Sequence, residues 1–220
     1  MKINIIFTLA MMLIVNQSYA QNKYPIDSFP EAISQDCRNG VAKVYDECSD
    51  QGIILAEALI KANSTGKSVL VVYGAEWCIW CHVFDKYIKG GSRLFFLKWK
   101  DRDDEDSYWM MQEQENKNAE IEAKNLNKYV SENFIIAHIE GYYSPNGVDV
   151  IEQTGFDVSK LKVLPYIIVL NSEGKYAGDM LPYNAIKDLE IREDSGEEYR
   201  GFDRKILLSE LSKLRNLSLK

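Results

Sequence analysis

Residues 69–84 read VLVVYGAEWCIWCHVF, and they set the fold. Val69 to Tyr73 is a short, continuous run rich in β-branched residues, the pattern of a strand buried on both faces. Gly74 to Trp77 supplies a turn and Cys81 to Ile88 reads as a helix, so Cys78 falls at a helix N-terminus. Unpaired amides and the macrodipole favour negative charge there, which predicts a Cys78 thiol that ionises more readily than usual. A free thiol near 8.5 is only a few per cent ionised at pH 7, and one unit of depression favours the thiolate by about 1.4 kcal/mol. Cys81, one turn in, is placed as the resolving partner. The spacing alone leaves open a metal clamp, a structural staple and a redox centre.

Upstream, Ile54 to Ala62 carries apolar residues at 55, 59 and 62 on one helical face, and a Ser-Thr-Gly-Lys break follows. Downstream, Ala119, Ala123, Leu126 and Val130 make a helical stripe, and residues 134–139 read as a strand. Gly147 to Phe156 reads as a short helix or turn. Next comes VLPYIIVL at 163–170, with Pro165 at the mouth of an apolar strand, where proline is tolerated and a cis bond is the special case. Asn171 to Gly174 gives a hairpin turn into residues 175–180, and Ile206, Leu207, Leu211 and Leu214 line a final helix.

The first twenty residues predict the compartment. Lys2, an apolar run from Ile3 to Val15 and a Ser18-Tyr19-Ala20 end read as a cleaved secretory signal, with the mature chain from about Gln21. The run is short against the roughly 20 residues that span a bilayer, so no stable membrane anchor is expected, and Gln21 is not a lipid-accepting cysteine. The expected location is periplasmic or secreted. The formal charge of −7, or −8 once Lys2 is removed, argues against nucleic acid as a partner. With 46% apolar residues the chain can fill one core. Export makes disulfides the default reading of four cysteines, and of three pairings the local one joins Cys37 to Cys48 and Cys78 to Cys81. The former reads as structural. A zinc site would draw on Cys37, Cys48, His82 and His138, none of which repeats a knuckle spacing, so no metal and no cofactor is expected.

On these residues the chain resembles the thioredoxin superfamily. VLVVYGAEWCIWCHVF is similar to its active-site strand, turn and helix, and VLPYIIVLNSEGKYAG to its cis-proline strand and following hairpin. The W-C-x-W-C-H form with NFIIAHIE is nearest to the thioredoxin-like domains of secreted and periplasmic proteins. The resemblance implies an α/β thioredoxin-like fold: a central mixed sheet flanked by helices, covering residues 53–220, with an N-terminal extension at 21–52 and an insertion at about 89–117. It implies that Cys78 is the nucleophile and Cys81 the resolving thiol, with a substrate strand aligned along Leu164 and Pro165 beside Trp77, Ile79 and Trp80. Family members usually place a buried aspartate six residues before the first cysteine; here that residue is Val72. Ile79-Trp80 also lacks the histidine of strongly oxidising members, which tilts the expectation toward reduction or isomerisation.

The implied activity is that of an exported thiol-disulfide oxidoreductase, acting on disulfide-bearing exported proteins and recycled by a membrane electron donor or other redox partner. His82 is a candidate modulator, more simply a bystander, and His138 reads as a satisfied core residue. In the insertion, aromatics and methionines flank the acidic run Asp101 to Asp106. The simple expectation is a solvated turn between two short helices, and the sharper one a docking surface at 93–111. The latter supports an alternative, a thioredoxin-fold binding module with an idle CxxC. Ser64 to Ser68 mimics the end of a phosphate loop but precedes its strand and lacks the upstream glycine, and residues 191–201 read as a linker.

Overall fold

The computed structural model describes residues 24–100, 108–114, 116–186, 198–199 and 201–220; the expected signal sequence lies outside them. A two-residue strand, β1 (Ser28–Phe29), precedes helix α1 (Gln51–Thr65) and strand β2 (Ser68–Gly74). Helix α2 (Ile79–Ile88) follows, then strands β3 (Leu94–Lys100) and β4 (Tyr108–Gln114), helix α3 (Glu120–Asn133) and strand β5 (Phe134–Glu140). The chain continues through α4 (Gly147–Gln153), β6 (Tyr166–Leu170), β7 (Tyr176–Met180), β8 (Glu198–Tyr199) and α5 (Arg204–Ser218).

Local chemistry accounts for the boundaries that matter most to the site. Asp50 caps α1 by accepting the amides of Gly52 and Ile53, and Gly66 ends the helix at φ 69°, a left-handed conformation that glycine adopts without strain. Asp203 caps α5 in the same way through the amides of Lys205 and Ile206.

Five strands form one mixed sheet in the order β1-β5-β2-β6-β7. β2 lies parallel to β5 along its whole length, from Ser68 opposite Phe134 to Gly74 opposite Glu140. β6 runs antiparallel to β2 on its other side, and β7 is antiparallel to β6. This is the thioredoxin-like arrangement. Every residue of β2 and β5 is buried, as expected of central strands covered on both faces. The period-two alternation divides them between two cores. Leu70, Val72, Ile136, Ile167 and Val169 face α2, α3 and α5. Val71, Tyr73, Ile135, Ala137 and Ile168 face α1 and α4. Each fully buried aliphatic side chain stabilises the fold by about 1.5–3 kcal/mol before entropy is counted. Among the described residues no helix is long and apolar enough to cross a membrane.

The insertion differs from the expected pair of helices. β3 and β4 form an antiparallel hairpin in register from Leu94–Gln114 to Lys100–Tyr108, and β8 pairs with the other edge of β3. The Gly90-Gly91 break ends α2, and a segment rich in Phe, Leu and Trp suits a pleated strand better than a helix. Residues 101–107 lie outside the described set, as do 187–197 and 200, so the acidic run and most of the expected linker are not described. Arg204 ties the base of the hairpin to α5: its Nη2 donates to the carbonyls of Gly91 (2.7 Å) and Arg93 (3.0 Å), and its guanidinium lies 4.0 Å over the Tyr87 ring.

The segment before α1 is fastened at several points. Cys37 and Cys48 form a disulfide, and β1 adds to the edge of β5. Gln51 Nε2 donates to the carbonyls of Asp46 (2.7 Å) and Ser49 (2.9 Å), while its Oε1 accepts the Glu140 amide at 2.9 Å. A loop closed between cysteines 11 positions apart restricts the unfolded chain by roughly 2–3 kcal/mol. A Cys37→Ala, Cys48→Ala double variant is therefore expected to lose about 2–3 kcal/mol in urea unfolding, with the other disulfide still intact.

Candidate active site

β2 delivers the chain to the site at a fixed point. Gly74 is paired with Glu140, and its carbonyl accepts the Gly141 amide at 3.0 Å. After the turn, Cys78 is the N-cap of α2 in extended conformation, and its Sγ accepts the Cys81 amide at 3.3 Å. The two cysteines form a disulfide. They differ in access. Cys78 lines a cleft of about 550 Å³, and Cys81 stands behind it with no exposed surface. A thiolate released at Cys78 would keep the Cys81 amide donor and the helix N-terminus.

The structure brings the expected substrate-side residues together. Trp77 is 50% exposed on one wall of the cleft. Ile79, Trp80 and Leu164 line it together with Cys78. The Leu164–Pro165 peptide is cis, and Pro165 itself is buried. Sequence reasoning missed the aromatic groups that shape this cleft. Tyr183 lines it and donates its hydroxyl to the Leu164 carbonyl. Tyr142 packs edge-on against Trp77 at 5.2 Å between ring centroids. The loop bearing Tyr142 is held by the buried Glu140 carboxylate, which accepts the amides of Tyr142 (3.0 Å) and Tyr143 (2.7 Å).

Glu76, inside the CxxC turn, was also missed. Its carboxylate accepts three consecutive amides of the extension, those of Lys43 (2.9 Å), Val44 (3.0 Å) and Tyr45 (2.9 Å). It thereby clamps Tyr45 over the back of the redox pair. His82 is tied to the same turn: its Nε2 is 2.6 Å from the Glu76 carbonyl, which can only accept, so the imidazole donates.

His138 is buried in β5 opposite Val72, but the expectation that it is satisfied fails at one atom. Its Nε2 has no aligned hydrogen-bond partner among the described residues, although it lies 3.3 Å from Asp85 Oδ1. Asp85 sits one turn beyond Cys81 in α2 and pairs with Lys89 at 2.8 Å. The His138 and Tyr45 rings pack in a T-shape at 5.3 Å between centroids. Burial works against the Asp85 charge, yet the closeness and charge of His138, followed by Lys89, hold its carboxyl down at about 2.

No protein-family model matches the chain, and no curated protein does. Among solved structures the chain is similar to the disulphide isomerase from Xylella fastidiosa Temecula1, with 21% identity, 63% of this chain and 79% of that chain covered, and a TM-score of 0.40. That likeness is too slight to support an argument about activity.

The Asp85 pairing gives a pH signature. Its folded pKa of about 2 lies below the unfolded value of about 3.9. The stabilisation is therefore complete at neutral pH and drains away as pH falls from about 4 through about 2. Asp85→Asn is expected to cost about 2–3 kcal/mol at pH 7 and to flatten the acid limb of the stability profile, as read by urea midpoints from pH 2 to pH 7.

Proposed function

We propose that the protein is an exported thiol-disulfide oxidoreductase that reduces or isomerises protein disulfides. The observation that carries this reading is the asymmetry of the pair. Cys78 opens on the cleft with an amide donor at its sulfur, and Cys81 is sealed behind it. Only one sulfur is then presented to a partner, as stepwise disulfide exchange requires.

In the reductive direction the Cys78 thiolate attacks one sulfur of a substrate disulfide. A Cys78–substrate bond forms, the substrate disulfide breaks, and the second substrate sulfur leaves with the electron pair. Cys81 then loses its proton and attacks Cys78 Sγ, which forms the Cys78–Cys81 bond and releases the first substrate sulfur as thiolate. The substrate gains two electrons and the protein pair loses two. A membrane electron donor or other dithiol partner restores the reduced pair. The apolar and aromatic walls around Trp77, Tyr142, Leu164 and Tyr183 suit an extended chain carrying apolar side chains near its cysteine. Substrates would be disulfide-bearing exported proteins, in keeping with the leader expected from the sequence, with a periplasmic or secreted site of action.

With the reduced wild-type protein and a disulfide-bearing unfolded protein, rapid exchange is expected. Cys81→Ser is expected to accumulate a stable mixed disulfide through Cys78, visible as a mass increase on a non-reducing gel. Cys78→Ser is expected to lose at least a thousandfold in rate, and full exchange activity in that variant would falsify the assignment.

A further inference from the structure

When the Cys78–Cys81 bond breaks, charge and then a proton must be handled at a sulfur that has no exposed surface. Solvent cannot reach it directly, so a protein group has to do this. Val72 and the apolar residues that share the core with Cys81 offer nothing for the task. One polar group is close. A Cβ placed on Gly74 would lie 2.4 Å from the Tyr45 hydroxyl and 2.7 Å from Cys81 Sγ, so hydroxyl and sulfur share the space that glycine leaves open. The Tyr45 side chain is fully buried, and its hydroxyl has no hydrogen-bond partner among the described residues. An unpartnered buried hydroxyl is destabilising, a cost offset if it gains an acceptor in another redox state.

We propose that Tyr45 supplies that hydrogen bond and carries the proton of the Cys81 sulfur, with the His138–Asp85 pair behind it. This rests on reading Cys78–Cys81 as a redox pair. As an external thiolate attacks Cys78, the bond from the donor sulfur to Cys78 forms, the Cys78–Cys81 bond breaks, and Cys81 takes the electron pair. The Tyr45 O–H then donates to the Cys81 thiolate. The proton that neutralises the sulfur passes through the same hydroxyl, and its source is His138, whose ring packs against that of Tyr45 at 5.3 Å between centroids and whose Nε2 lies 3.3 Å from Asp85 Oδ1. It returns by that path when Cys81 attacks a mixed disulfide. The second thiol of the external dithiol gives up the balancing proton as it closes the donor's own disulfide.

The surroundings keep Tyr45 in the donor form. Burial, then the charges of Asp85, Glu76 and Glu140, push its phenol well above 10. Those three carboxylates and His138 are the titratable groups that face it, from α2, the CxxC turn and β5. His82 stands beyond Glu76, and Lys89 beyond Asp85. The three amides on Glu76 fix the backbone of Tyr45, so the hydroxyl is a preorganised donor.

Tyr45→Phe keeps the ring and removes only the hydroxyl. Reduction of the oxidised full chain by dithiothreitol, followed by tryptophan fluorescence, is expected to slow at least tenfold in this variant. The second thiol titration of the reduced protein, read by thiolate absorbance, is expected to move up by about one unit. A purely structural role would instead lower the unfolding midpoint and leave that titration unmoved. Should Tyr45→Phe fail to fold, His138→Gln read by the same two measurements is expected to slow reduction at least tenfold, and wild-type values in it overturn the relay. A folded Tyr45→Phe with wild-type rate and titration also overturns the relay while leaving the redox function standing. A wild-type pair that resists dithiothreitol removes the redox reading, and the relay with it.

Discussion

The C-terminal end of β2 is the fixed point to which the rest of the site is referred. Gly74 has β5 paired on one side, the Gly141 amide on its carbonyl, and a Tyr45 hydroxyl and a Cys81 sulfur in the space where a side chain would begin. Any larger residue would displace one of those groups, because a packed interior tolerates little added volume. Five residues later α2 begins at Ile79, capped by Cys78, so the two sulfurs inherit the rigidity of the central strand.

Three carboxylates set the site's geometry, and each acts differently. Glu76 binds the extension to the CxxC turn through three amides. Glu140 shapes the loop that brings Tyr142 to Trp77. Asp85 keeps its charge in the core by pairing with His138 and Lys89. Buried charges survive only with such partners, since desolvation alone would disfavour them. Cysteine reactivity, cleft shape and proton handling are in this way assigned to separate groups around one strand end.

Much of this was legible in the sequence because it rests on local signals. The β-branched run at 69–73, the helix after Cys78 and the apolar strand after Pro165 each carry a short-range pattern that the structure keeps. The hairpin at 94–114 was misjudged because a sequence of mixed aromatic, apolar and charged residues shows no dominant period, and its pairing with residues 198–199 is remote in sequence. Glu76, Tyr45 and Asp85 gave no signal as a set. Their meeting depends on a 24–50 segment that folds back over the turn, which no local propensity encodes. One clue was available: a glutamate inside the CxxC turn, beside a strand lacking any buried acid, leaves a charge with no evident local purpose.

The function of the site turns on Cys78 and Cys81 being a working redox couple. The most direct test is an equilibrium titration of that couple in glutathione buffers, with Cys37 and Cys48 replaced by alanine so that one pair reports. A working reductive couple is expected to give a single two-electron transition at a potential below about −180 mV, on the reducing side of the range known for such pairs. A folded protein whose pair never equilibrates with glutathione would contradict it, whereas a potential near the strongly oxidising limit of about −120 mV would keep the couple and reverse its direction.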